Sequence, residues 1–314
     1  MEWTTVLSGR SDGLHKAKLM SLPLLNNLAS HADRVSALET DNVITWCSGC
    51  GNFGILNSVM HAMAIENIGV EDAVLCFDVG CNGNAAHNIN AYTIHGLHGR
   101  VLSLAAGAKI ANEDKKVIAI AGDGATFSEG VNHLVHAVRN NFPFVFIFHN
   151  NENYGLTTGQ PSSTTKCGTQ LNSAPEGVTA QPLNPLQFVL SLNPSFVART
   201  YSGDVTEMTE IMQEALNHDG FAFIEVLQAC PTYNRETPDE WYAAHVKNVS
   251  EVADYDSSDI WQARHAVEDL NDTFYTGVLY RNNNLADFMS LQMHRENRKA
   301  LVDEVAHVDI DGMY

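Results

Sequence analysis

Gly122-Asp123-Gly124 is followed, after 25 intervening residues, by Asn150-Asn151. A carboxylate and a carboxamide oxygen are hard donors suited to Mg²⁺, which completes its octahedron with phosphate oxygens and water. Gly122 and Gly124 let the backbone come close to phosphates, and Gly155 and Gly159 extend a flexible loop beyond the second ligand. The pattern reads as a metal-diphosphate site. A second pattern is Cys47-x-x-Cys50 with single cysteines at Cys81 and Cys230. Four thiolates from three segments can make an S₄ site for zinc or for an iron–sulfur cluster. The residues leave both open, although one close pair plus two distant singles is more cluster-like than the two close pairs of a zinc site. Cys76, inside AVLCFD, reads as plain core, and Cys167, in a polar loop, has no assigned role.

These residues need a scaffold that brings them together. Short apolar runs at 73–78, 116–121, 144–148, 196–200 and 221–227 read as buried strands. Between them, 52–66, 129–140 and 205–218 carry apolar residues at helical spacing. Strand–helix–strand alternation with apolar strands predicts an α/β fold, a mostly parallel sheet with helices on both faces. In such a sheet all strand ends open on one edge, where ligands bind. Asp123 follows one strand and Asn151 the next, so the two converge, and Cys81 and Cys230 also sit at strand ends. We expect an N-terminal extension over 1–42, a binding domain over 43–230, and a C-terminal tail of helices and loops over 231–314.

The chain has 314 residues, ample for a large core, and a net charge of −19. That charge argues against nucleic acid or an anionic membrane surface as partner. The tail is the more acidic part, with 16 acidic and 7 basic residues after Cys230. No apolar run of signal-peptide or membrane-span character is present. A reducing, cytoplasmic setting is expected, in which clustered cysteines favour metal or redox roles over disulfides.

Longer stretches carry a family resemblance. WCSGCGNFG (46–54), IHGLHGR (94–100), AGAKIAN (106–112), the run 132–165 and CPTYN (230–234) resemble the β subunit of 2-oxoacid:ferredoxin oxidoreductases, over roughly residues 43–300. The resemblance implies the diphosphate-binding half of a thiamine diphosphate fold. Asp123 and Asn151 would hold Mg²⁺ by side chains and Asn153 by its backbone carbonyl. Gly122, Gly124, Asn150, Tyr154, Gly155 and Gly51 would contact the cofactor. Cys47, Cys50, Cys81 and Cys230 would ligate a [4Fe–4S] cluster. His95 and His98 would be candidate catalytic donors, whereas His133 and His136 read as structural. One departure is Ala125, where many members carry a second Asp.

The implied activity is coenzyme A-linked oxidative decarboxylation of a 2-oxoacid, with electrons passing through the cluster to ferredoxin. A partner α subunit would supply the carboxylate that activates thiamine, because this chain is too short for both halves of such a site. Cys230–Asn234 and Tyr154–Thr157 resemble members that use 2-oxoglutarate or a range of 2-oxoacids more than pyruvate-only members, so 2-oxoglutarate is favoured over pyruvate. Asn84 weighs against this, since many broad-range relatives carry Lys there. The rival readings are a non-oxidative thiamine enzyme with structural zinc, and a silent scaffold that keeps only the fold.

Overall fold

The computed structural model describes residues 23–269, 272–292 and 301–305. Much of the expected N-terminal extension and the last residues of the tail therefore lie outside the described residues. An eight-stranded sheet forms the core, in the order β2-β1-β3-β4-β6-β5-β8-β7. The strands are β1 (Ala73–Phe77), β2 (Tyr92–His95), β3 (Lys116–Gly122), β4 (Val145–Asn150), β5 (Phe196–Tyr201), β6 (Ala222–Leu227), β7 (Val246–Asn248) and β8 (Phe274–Arg281). Every neighbouring pair is parallel except β5 with β8.

Alternation along the central strands sends side chains to both faces. Ile118 and Ile120 of β3, Ile147 of β4 and Ile224 of β6 point to one face. There they meet Ile55, Val59 and Met63 of α2 (Asn52–Ile65) and Met208, Ile211 and Met212 of α6 (Val205–Leu216). Val117 and Ala119, Phe146 and Phe148, and Phe223 point to the other. That face is covered by α3 (Val101–Ala111), α4 (Val131–Asn140), α5 (Pro185–Ser191) and α8 (Ile260–Ala266). Burial of both faces is why these strands read as continuous apolar runs. The second face holds an aromatic layer in which Phe144, Phe146, Phe148, Phe221 and Phe223 meet at centroid distances of 5.2–6.4 Å.

The tail differs from its expected helix-and-loop character. β8 pairs antiparallel with β5 and extends the sheet, and β7 follows it at the edge. Burial alternates poorly along β8, and Gly277 sits at φ +96° close to the register shift at Val197/Ala198. On the other side of the molecule α1 (Pro23–Leu38) ends on the core, where Leu38 is buried. Among the described residues no helix is long and apolar enough to cross a membrane.

A buried ion-pair network stands behind the site. Arg199 on β5 bonds Glu225 on β6 at 2.7 Å and Asp269 at 2.5 and 3.1 Å. Burial disfavours its charge, but Glu225 and Asp269 outweigh that and hold the guanidinium above its ordinary range. Glu225 also accepts from Asn150 Nδ2 at 2.8 Å.

Candidate active site

The C-terminal ends of β1, β3, β4 and β6 are neighbours, and their following loops build one pocket. It is lined by Val79–Asn82 after β1, Gly122–Ala125 after β3, His149, Asn151 and Asn153–Thr157 around the end of β4, Gln228 after β6, and His98. Asp123 caps a π-helical turn, Gly124–Glu129, a geometry that recurs at functional sites. Its carboxylate is buried and accepts from Gly124 N at 2.9 Å, Ser162 Oγ at 2.6 Å and Thr164 Oγ1 at 2.9 Å. These donors are neutral. Burial therefore dominates and pushes the Asp123 carboxyl up to about 6, the hydrogen bonds opposing it only in part. A buried carboxylate without a cation partner is a site to which a metal ion would bring the missing charge.

Asn151 and Asn153 form a turn against the same pocket. Asn153 N donates to Asn151 Oδ1 at 3.2 Å, and Asn153 Nδ2 donates to Asn151 O at 2.7 Å. The glycines here have concrete reasons. A methyl on Gly124 would sit 2.2 Å from Tyr154 Cε1, and one on Gly155 would sit 3.4 Å from Cys81 Sγ. Tyr154 is held by its hydroxyl, which donates to Glu129 Oε1 at 2.9 Å. Burial, first of all, pushes its phenol up to about 12. Glu129 Oε2 also lies 3.2 Å from His98 Nδ1, so one carboxylate stands beside both His98 and Tyr154.

Not every expected residue reaches the pocket. Asn150 turns away to Glu225, and Gly51 is a close-packing glycine whose added methyl would strike Ser202 Oγ at 2.4 Å. Neither is among the lining residues. His95 bonds the Asp78 carbonyl at 3.1 Å and also lies outside the lining. Asn84 donates to Thr45 Oγ1 at 3.2 Å, on the cysteine loop rather than in the pocket. Several contributors escaped the sequence reading, His149 and Gln228 in the lining among them. Asp78 is fully buried and accepts from Val79, Gly99 and Val101 N–H groups, which fixes the His98 loop and the start of α3. Ser162 and Thr164 hold Asp123. Their signal was an ordinary-looking Ser/Thr run, and Asp78 looked like the end of a strand.

The four cysteines lie beside this pocket. Cys81 lines it, and Cys230 Sγ stands 3.9 Å from Asn153 Oδ1. Thr232 Oγ1 lies 3.1 Å from Cys47 Sγ. The thiols are free and feel one another: burial first, then neighbouring sulfurs, push Cys50 up to about 11 and Cys81 up to about 12. Among the described residues no group of three or more His, Cys, Asp or Glu side chains is drawn close enough to hold a single metal ion. Cys76 is buried under α3, and Cys167 is exposed with only Thr179 O at 3.9 Å; both lie apart from the four.

Known proteins agree with this architecture. Residues 78–226 match the family model of the thiamine pyrophosphate enzyme, C-terminal TPP binding domain. Residues 230–294 match the family model of the C-terminal part of the pyruvate ferredoxin oxidoreductase beta chain. Fold and site thus define a thiamine diphosphate-binding enzyme component. The chain is 41% identical over 213 residues to the 2-oxoacid:ferredoxin oxidoreductase subunit beta of Saccharolobus solfataricus, covering 67% of this chain and 70% of that one. It is 36% identical over 195 residues to the 2-oxoglutarate oxidoreductase subunit KorB of Mycobacterium tuberculosis, covering 62% of this chain and 52% of that one. A solved 2-oxoglutarate:ferredoxin oxidoreductase from Magnetococcus marinus superposes with a TM-score of 0.80 at 29% identity, covering 89% of this chain and 94% of that one. The chain belongs to the β subunits of the 2-oxoacid:ferredoxin oxidoreductases, multi-subunit enzymes.

Proposed function

We propose that this protein bears the diphosphate half of the thiamine site and a [4Fe–4S] cluster in an enzyme that converts 2-oxoglutarate and coenzyme A to succinyl-CoA, with ferredoxin as electron acceptor. The observation that carries the reading is the meeting of two donor sets at one sheet edge: Asp123, Asn151 and Asn153 in the pocket, and four thiols on its rim. Asp123 and Asn151 would hold Mg²⁺ by side-chain oxygens and Asn153 by its backbone carbonyl, the roles that the family resemblance gives them, and Asp123, Asn151 and Asn153 all line the pocket. Thiamine diphosphate, when bound, supplies a carbon nucleophile and an electron sink, and the cluster a one-electron outlet. Gly122 and Gly124 keep the pocket floor open to a diphosphate. Tyr154 and His98, both beside Glu129, wall the pocket and offer hydrogen-bonding groups to a bound substrate.

Zinc is the weaker reading of the cysteines. One close pair with two distant single cysteines is more cluster-like than the two close pairs of a zinc site. The α subunit would contribute the activating carboxylate and the rest of the substrate pocket. 2-Oxoglutarate is favoured because relatives named for it recur, among them the solved Magnetococcus marinus enzyme and the KorB subunits. The alternative is pyruvate, for which the tail's family model is named. The test is kcat/KM for both acids in the assembled enzyme, with iron, sulfide and zinc analysis of the same sample. A preference for pyruvate, or zinc in place of iron, refutes the corresponding part of the reading.

A further inference from the structure

Gln228, the residue after β6, is buried at 1% exposure and spans the wall between pocket and thiols. Its Nε2 donates to Asn52 Oδ1 at 3.0 Å and also lies 3.7 Å from Cys50 Sγ, within reach of an N–H···S bond. Asn52 is the first residue of α2, buried at 2% exposure, and its Oδ1 meets His149 Nδ1 at 3.0 Å as well. Among the described residues His149 Nε2 is buried without a hydrogen-bond partner, and His149 and Gln228 both line the pocket. A continuous polar chain, His149–Asn52–Gln228–Cys50, therefore runs from the pocket wall to one thiol.

We propose that Gln228 is a positioning residue that sets the reduction potential of the cluster through its N–H···S bond to Cys50, with Asn52 holding the amide in place. The inference rests on the cluster reading above. Hydrogen bonds to ligating sulfurs tune such clusters. An N–H dipole aimed at a thiolate stabilises the reduced, more negative state over the oxidised one, and so raises the potential. Sharing of the Nε2 amide between Asn52 and Cys50 also explains a buried glutamine at this place, since a free amide here would leave donors unsatisfied.

The test is an EPR-monitored redox titration of the purified enzyme carrying Gln228→Met, which keeps the volume and removes the donor. Iron and sulfide content should stay at the wild-type level. The potential should fall by about 59 mV, which corresponds to a tenfold change in a one-electron equilibrium. A full cluster with an unchanged or raised potential overturns the proposal. If the Met variant does not retain its cluster, Gln228→Leu, which removes the donor without adding charge, decides: a potential below wild type supports the role, and one at or above wild type refutes it. Absence of iron and sulfide from the wild-type enzyme would instead defeat the cluster reading itself, and the proposal with it.

Discussion

Gly124→Ala isolates why the residue after Asp123 is glycine. The added methyl would lie 2.2 Å from Tyr154 Cε1, 2.4 Å from Cζ and 2.8 Å from Cδ1. Carbon atoms rest about 3.5–4.0 Å apart, so the ring must move by more than an ångström. It is held by the hydroxyl bond to Glu129 and by backbone bonds of Tyr154 to Gln160 and Gly159. Overpacking of this kind costs about 1–3 kcal/mol, and losing the hydroxyl bond adds about 0.5–1.5 kcal/mol. Because the ring is only half-buried and can swing outward, the lower part of that range applies, about 2 kcal/mol in all. The ligand-free protein should melt roughly 4 °C lower. Tyr154→Ala should absorb the damage: in the double variant Gly124→Ala should cost almost nothing further, a coupling of about 2 kcal/mol. Urea melts of the four proteins of the cycle, with calorimetric titration of Mg²⁺–thiamine diphosphate, check both parts. Additive losses across the cycle, or an unchanged melt for Gly124→Ala, would refute the steric argument. A weakened affinity in both backgrounds without any stability loss would leave only close approach of a phosphate as the reason for the glycine.

Asp123, raised from 3.8 to about 6 in the folded ligand-free chain, makes a stability contribution that is full below pH 4 and lost as the pH rises through 6. Relative to Asp123→Asn, the wild type should therefore weaken by on the order of 3 kcal/mol between pH 4 and 7.5, while Asp123→Asn loses Mg²⁺-dependent cofactor binding; a stability gap that ignores pH would reject this. Ala at Cys47, Cys50, Cys81 or Cys230 should each lower iron and sulfide content, whereas Cys76→Ala and Cys167→Ala should not, as elemental analysis will tell. Arg199→Met strands Glu225 in the core and should cost about 3–5 kcal/mol, read from urea midpoints; a loss under about 1 kcal/mol would mean that the Arg199–Glu225–Asp269 network is dispensable.

The strands legible from the sequence were those buried on both faces, because an apolar run such as 116–121 or 144–148 has few other homes. β2 escaped because only four residues pair and three of them are exposed, and β8 because Gly277 and a register shift break its pattern. α5 has a start signal, Asn184 accepting from Gln187 N with Pro185 at the first turn, but it lasts only seven residues. At the site, the Asp123–Asn151 pair and the four cysteines stood out by residue type and spacing, and the fold brings Asp123, Asn151 and Cys81 into one pocket. Asn150 was misleading: one register step beyond His149 on β4, its side chain leaves the pocket for Glu225. Alternation decides such matters, and a motif match does not contain it.

Strand order accounts for the way sulfur and oxygen donors meet. β1, β3, β4 and β6 are consecutive across the sheet. Their following loops carry, in that order, Cys81, Asp123, Asn151 and Cys230, so sulfur flanks oxygen on both sides. Adjacent strands lie about 4.8 Å apart, which would separate the outer two by roughly 14 Å if the loops ran straight on. They do not. The loop after β4 folds between them: Gly155 backs onto Cys81 and Asn153 onto Cys230, while the same loop turns Asn151 towards Asp123. That loop must be thin, and it is. Gly159, at φ +86°, lies where a methyl would strike the Tyr233 ring at 2.6 Å. One glycine-bearing loop thus walls the pocket and touches two of the four thiols, Cys81 and Cys230, so a substitution that thickens it should disturb the proposed cofactor and cluster sites together, whereas changes at Asp123 or at a single cysteine should disturb one of them.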